Sequence, residues 1–166
     1  MKVESLHRWH VSTAQALDIQ MKLADRMSRI GEIATPRFVA GVDISVHKGQ
    51  ELATGVAVVL NYPELRLVQT SVVKGKLEFP YVLGLLSFRE SPLTLAACEK
   101  LAITSDLVLV DGQGVAHPRR MGFASHLELC LNTPTIGCAK SRLCGSHEVP
   151  DVEPGSYTEL MAGVRL

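Results

Sequence analysis

Two carboxylates stand where an apolar strand does not ordinarily carry them. In AGVDIS, Asp43 interrupts an apolar run, on the strand face shared by Val39, Gly41 and Ser45. A lone carboxylate there needs a cation, a set of hydrogen bonds or a raised pKa to offset its desolvation. Asp111 closes the run DLVLV and is followed by Gly-Gln-Gly, where a backbone without Cβ can approach a ligand closely. Glu90 supplies a third carboxylate from what reads as a junction between two helices, with Ser91-Pro92 as cap and first turn of the second. Three carboxylates brought together repel one another, so a cation must hold them ionised. An all-oxygen donor set favours hard Mg²⁺ or Mn²⁺ over zinc. A pair of such ions roughly 3.5–4 Å apart can activate water and stabilise the leaving oxygen in phosphodiester cleavage. The plainer alternative makes Asp43 a turn cap, Glu90 a solvated helix-end charge and Asp111 the mere end of a strand. Taken singly, Glu90 reads as structural; Asp43 and Asp111 together point to function, since ionisable groups in apolar strands mark sites.

Such a cluster requires elements that bring distant residues to one place. Thr13 to Ile30 reads as a helix with Leu17, Met21, Ala24 and Met27 on one face, Ser12 or Thr13 capping its start and Gly31 ending it. Strands follow from about Phe38 to Ser45, from Thr54 to Leu60, and from Leu65 to Val73. Short connections make these three an antiparallel meander. A helical stretch runs from near Pro80 to Leu101, interrupted at Pro92. DLVLVDG then has the continuous apolar character of a buried parallel strand. A helix over Arg120 to Leu131 and a strand in TPTIGCAK complete the order β-β-β-α-β-α-β. A right-handed crossover in a mixed sheet of this kind places the fourth strand beside the first. Ligands then collect at the carboxyl ends of strands, near the switch in strand order.

Composition sets limits. The 166 residues suit one domain, and 46% hydrophobic with 20% charged residues excludes disorder. The start, MKVESLHRWHVS, lacks the apolar core of a signal peptide, and no apolar run spans a bilayer. The expected address is the cytoplasm, with no membrane contact. Cys98, Cys130, Cys138 and Cys144 form no C-x-x-C pair and read as free, mostly buried thiols. Seventeen basic residues balance seventeen acidic ones. Any grip on nucleic acid must therefore come from local patches, or from metal ions at the site.

The blocks AGVDIS, FPYVLGLLSFRE, VDGQGVAHPRRMGFASH and PTIGCAKSRLCG, in this order, resemble the endonuclease V family, and the likeness runs over nearly the whole chain. It implies an RNase H-like α/β fold over residues 1–166. It also implies a DNA repair endonuclease that nicks DNA near deaminated bases, deoxyinosine above all. Water would attack the second phosphodiester bond 3′ to the lesion in the presence of Mg²⁺, for which Mn²⁺ substitutes. By the same resemblance Asp43 and Asp111 bind the metal and Glu90 completes the acidic centre. Lys140, which alone reads as a solvated loop lysine, stands near the scissile phosphate. FPYVLG is similar to the family's wedge, with Pro80 and Tyr81 among the DNA contacts and Tyr81 pushing into the duplex; its plainer reading is a core tyrosine. A pocket for the extruded base is matched by Gly84, Leu86, Gly112, His117 and Leu143. Arg119 and Arg120, just before a helix start, could hold a phosphate, or form a solvated basic turn. His126 reads as a satisfied core histidine.

The sequence also departs from the family pattern. Leu83 stands where a second proline is usual, and Glu128 where a glycine is usual. The family continues into an S-x-G-H segment whose histidine joins the active site, and neither His126 nor His147 lies in such a motif. A relative lacking that C-terminal segment could bind inosine-bearing nucleic acid without cutting it. The acidic centre by itself is also compatible with another RNase H-like nuclease, acting on RNA or branched DNA. The partner expected is DNA with deaminated bases, RNA remaining open, and the protein is expected to be a monomer.

Overall fold

The computed structural model describes residues 1–28, 35–46, 52–162 and 164–165. The first helix, α1, spans Thr13–Ala24 and opens with a reciprocal capping box between Ser12 and Gln15. It ends at Ala24 with Asp25 as C-cap, so it is shorter than its periodicity predicts; Gly31 lies outside the described residues. Its buried face also differs from the expected one. Ala16, Gln20 and Leu23 face inward, while Leu17 and Met21 are exposed. A polar side chain can occupy an interior face where all its hydrogen bonds are met, and Gln20 does so.

The three-strand meander is present as β1 (Phe38–Val46), β2 (Leu52–Asn61) and β3 (Leu67–Lys76), paired antiparallel. Strand β4 (Leu107–Val110) lies parallel to β1, and β5 (Thr135–Gly137) parallel to β4, giving the order β3-β2-β1-β4-β5. The fourth strand thus sits beside the first, as the connectivity predicts. Helices α2 (Leu86–Glu99) and α3 (Phe123–Leu131) follow β3 and β4, and a short hairpin, β6 (Met161–Ala162) with β7 (Val164–Arg165), closes the described chain.

Both α2 and α3 pack on the sheet face that carries Ala40, Val42, Ala57, Val59, Val108 and Val110. Leu95, Cys98, Phe123, Leu127 and Cys130 complete that core, and Leu6 and Trp9 of the N-terminal segment pack against it. Alternation along the strands puts Val72, Leu109 and Ile136 on the opposite face, where they are exposed. All four cysteines are free, and Cys98 and Cys130 are buried. Among the described residues no helix is long and apolar enough to cross a membrane.

Further expected boundaries are corrected. Helix α2 begins at Leu86 and not near Pro80, and it is continuous across Pro92, so Glu90 lies within a helix and not between two. Burial of Ser87, Phe88, Ser91, Leu93 and Leu95 carries the helix past the missing proline N–H, as tertiary packing commonly does. Helix α3 begins at Phe123 with Gly122 as N-cap, three residues later than expected, and Arg120 instead takes a left-handed backbone (φ 58°).

Candidate active site

The parallel pairing of β1 with β4 ends at Val42 opposite Val110, so Asp43 and Asp111 emerge side by side at the carboxyl ends of adjacent strands. The Asp111 N–H points at the Val42 carbonyl across 3.5 Å. Asp43 shares the open face of the sheet and is exposed, with its Oδ1 accepting from the Ile44 N–H at 2.7 Å. The expectation that Asp43 bears the desolvation cost is therefore corrected: its face of the sheet is uncovered.

That cost falls on Glu90 instead. Half-buried on α2, its carboxyl is pushed up to about 7, first by burial and then by the negative charge of Asp43; Asp111 adds to the rise, while Arg89 and Lys140 oppose it. Glu90 on α2 thus lies within electrostatic reach of both Asp43 on β1 and Asp111 at the end of β4. Lys140, exposed just beyond β5, donates to Asp111 Oδ2 and forms an ion pair with it, which raises the lysine's own pKa.

Among the described residues no three His, Cys, Asp or Glu side chains already form a metal cage. The donor set nevertheless suits a hard cation. It offers only oxygen ligands, and the mutual repulsion recorded at Glu90 is what a divalent ion would relieve. An ammonium at Asp111 is the positive charge that the group attracts by itself.

Beside the acidic centre lies a pocket of about 130 Å³, partly open to solvent. Five of the residues expected to contact DNA line it: Tyr81, Gly84, Leu86, His117 and Leu143. Gln20, Ser87, Gln113, Phe123 and Ser141 also line it; all but Gln20 lie within the family-like blocks, where none of them carries an assigned role. Tyr81 is 73% exposed and Leu83 74%, so the tyrosine is no core residue and the two form a projecting apolar tip. Pro80 lines a neighbouring cleft with Trp9, Phe79 and Phe88. Gly112 is buried against the Phe123 ring and does not line the pocket.

His117 is buried, with Nε2 against the Gly84 carbonyl (3.0 Å) and Nδ1 accepting from the Arg119 N–H (3.1 Å). A carbonyl only accepts, so Nε2 carries the proton and the ring is neutral. Burial lowers its pKa to about 4, the Gly84 hydrogen bond opposing the fall and Arg119 and Arg120 adding to it. Arg119 turns inward, its Nη2 donating to the Gly84 carbonyl (2.9 Å) and its Nε to Gln20 (2.5 Å). Arg120 Nη1 reaches the His117 carbonyl at 3.4 Å.

The loop after Asp111 is pinned to the start of α3. Gly122 N–H donates to the Gly114 carbonyl and Ala124 N–H to that of Gln113, both at 3.0 Å. A Cβ on Gly122 would lie 2.3 Å from the Gln113 oxygen, so only glycine permits this approach. His126 is a satisfied core histidine, as expected. Its Nε2 meets His7 Nε2 at 2.8 Å and its Nδ1 meets Ser87 Oγ at 3.1 Å.

Comparison with known proteins bears on this geometry. The family model described as Endonuclease V matches residues 19–165. An Endonuclease V of Dehalococcoides mccartyi is 46% identical over 166 residues, covering all of this chain and 74% of the relative. One from Gloeobacter violaceus is 46% identical over 160 residues, covering 95% of this chain and 65% of its own length. The crystal structure of the Streptomyces avermitilis Endonuclease V superposes with a TM-score of 0.88 at 38% identity, over 98% of this chain and 72% of that one. The Ciona intestinalis Endonuclease V, in complex with a 24mer DNA containing an inosine followed by a ribo-adenosine, gives 0.67 at 38% identity, over 77% of this chain and 57% of that one.

Proposed function

The chain belongs to the endonuclease V family and has its RNase H-like α/β fold, and on that premise we propose that it nicks DNA near deoxyinosine. Members of the family are metal-dependent nucleases. The observation that carries the proposal is the emergence of Asp43 and Asp111 from adjacent parallel strand ends, with Glu90 electrostatically coupled to both.

Asp43, Asp111 and Glu90 would hold Mg²⁺, for which Mn²⁺ would substitute. Such an ion would supply water activation and charge stabilisation for phosphodiester hydrolysis. The bond cut is the second 3′ to the lesion. Lys140, exposed beside Asp111, offers its ammonium to the scissile phosphate. The Tyr81–Leu83 tip enters the duplex and the neighbouring pocket receives the extruded base. Helix α2 has no side-chain cap, and its first residues, Leu86 and Ser87, line that pocket. Uncapped first-turn amides donate hydrogen bonds, which suits the carbonyl of hypoxanthine and disfavours the amino group of adenine. The protein acts as a cytoplasmic monomer on DNA containing deaminated bases.

The test is a nicking assay on inosine-containing and matched adenine duplexes, with Mg²⁺ or with EDTA. Asp43→Ala and Asp111→Ala each abolish metal-dependent nicking at inosine. Equal nicking by the wild type and both variants overturns the assignment.

A further inference from the structure

The Gly84 carbonyl gathers three side-chain donors from two distant parts of the chain. Gly84 adopts φ +77°, and its oxygen accepts from Gln20 Nε2 at 3.0 Å, His117 Nε2 at 3.0 Å and Arg119 Nη2 at 2.9 Å. A carbonyl has two lone pairs, so three donors saturate it. Gln20 links them. Its Nε2 also donates to the Met121 carbonyl at 2.6 Å, and its Oε1 accepts from Arg119 Nε at 2.5 Å. The amide group therefore spends both its N–H bonds inside the protein. Although Gln20 lines the pocket, it has no hydrogen left to offer a ligand, and it is 1% exposed.

Whatever Gln20 does, it does through the segments it ties together. Those are α1, the turn that presents Tyr81 and Leu83, and the loop from His117 to Met121. The turn itself closes through Leu85 N–H to the Val82 carbonyl at 2.9 Å. We propose that Gln20 is a positioning residue: with Arg119 and His117 it latches the Gly84 carbonyl, holding the exposed Tyr81–Leu83 tip in a fixed pose at the mouth of the base pocket. The role rests on the reading of that tip as the element that enters the duplex. An unlatched tip must be ordered at the moment of insertion, and that ordering cost falls on base extrusion and not on hydrolysis.

The experiment compares wild type, Gln20→Leu and the gentler Gln20→Asn on inosine placed in a duplex and in a single strand, whose base is already unstacked. Loss of the latch lowers kcat/KM on the duplex by about 10-fold or more, the scale of one or two buried hydrogen bonds. On the single strand it changes kcat/KM by less than about 3-fold. Equal losses on both substrates in a variant that melts cooperatively overturn the latch; if Gln20→Leu does not fold, Gln20→Asn decides. Hydrogen exchange at the Leu85 amide answers without DNA. It accelerates about 10-fold or more in the variants if the latch holds the turn, and an unchanged rate overturns the proposal. A wild type that nicks neither substrate sinks the nuclease reading alone, because the exchange measurement still judges the latch.

Discussion

Replacing Glu90 with glutamine removes the one carboxyl group of the acidic centre whose ionisation the fold opposes. Burial, Asp43 and Asp111 raise its pKa from 4.5 to about 7. The native state therefore holds this proton more tightly than the unfolded chain does. The resulting stability is complete below about pH 4.5 and is lost as pH rises through about 7. At about 1.4 kcal/mol per tenfold, that gap gives at most about 3 kcal/mol. Glu90 is only partly buried, so solvent screening reduces the figure to about 1–2 kcal/mol. Glutamine mimics the neutral acid at every pH. In EDTA, Glu90→Gln is thus as stable as wild type at pH 4.5 and about 1–2 kcal/mol more stable at pH 8, read from urea unfolding at both values. Mg²⁺ reverses the order at pH 8. An ion bound by the ionised carboxylates stabilises the wild type by mass action, and the variant, short of one charged ligand, gains less. A variant less stable than wild type at pH 8 in EDTA, or stabilised equally by Mg²⁺, would refute the reasoning.

Lys140→Met leaves the urea midpoint almost unchanged, because solvent screens an ion pair whose lysine is fully exposed. The same change slows single-turnover nicking by about 10-fold or more if the ammonium meets the scissile phosphate. Ser12→Ala dismantles the capping box of α1 and lowers unfolding free energy by about 1 kcal/mol, measurable by denaturant titration. His117 and His126 are held neutral by burial, with pKa values lowered to about 4 and about 3. Each contributes stability that is full above about pH 6.5 and is lost as pH falls through those values. In a Glu90→Gln/Glu128→Gln background, where both carboxyls raised by burial are gone, stability therefore declines steadily from pH 6.5 to pH 4; a flat profile there would show that neither ring is needed neutral.

The strand order was legible because it follows from local signals. Three strands with short connections must meander, and an apolar run after a helix must return parallel to a neighbour. From that alone Asp43 and Asp111 fall at one sheet end. The face of the sheet was not legible in the same way. Asp43 interrupts an apolar strand, yet its side of β1 is open, so the electrostatic cost appears on Glu90, which the sequence taken alone makes structural. Pro92 misleads for a related reason. A proline marks a boundary by its own chemistry, but α2 is buried on several sides and packing carries it through.

Gln20 shows where local reading stops altogether. Periodicity puts Leu17 and Met21 on the inward face of α1, because apolar residues recurring at helical spacing are the only signal that a lone helix emits. The fold turns the helix so that a glutamine faces in, and this becomes favourable only once partners from residues 84, 119 and 121 arrive. The separation between Gln20 and Arg119 is 99 residues, and no short motif spans it. A buried amide with every donor and acceptor used costs little, whereas one left with a single empty position costs about 1–3 kcal/mol. The residues that set the pose of the wedge turn are therefore polar groups whose placement depends on the complete tertiary structure, while Asp43 and Asp111 announce themselves within and at the end of apolar strands.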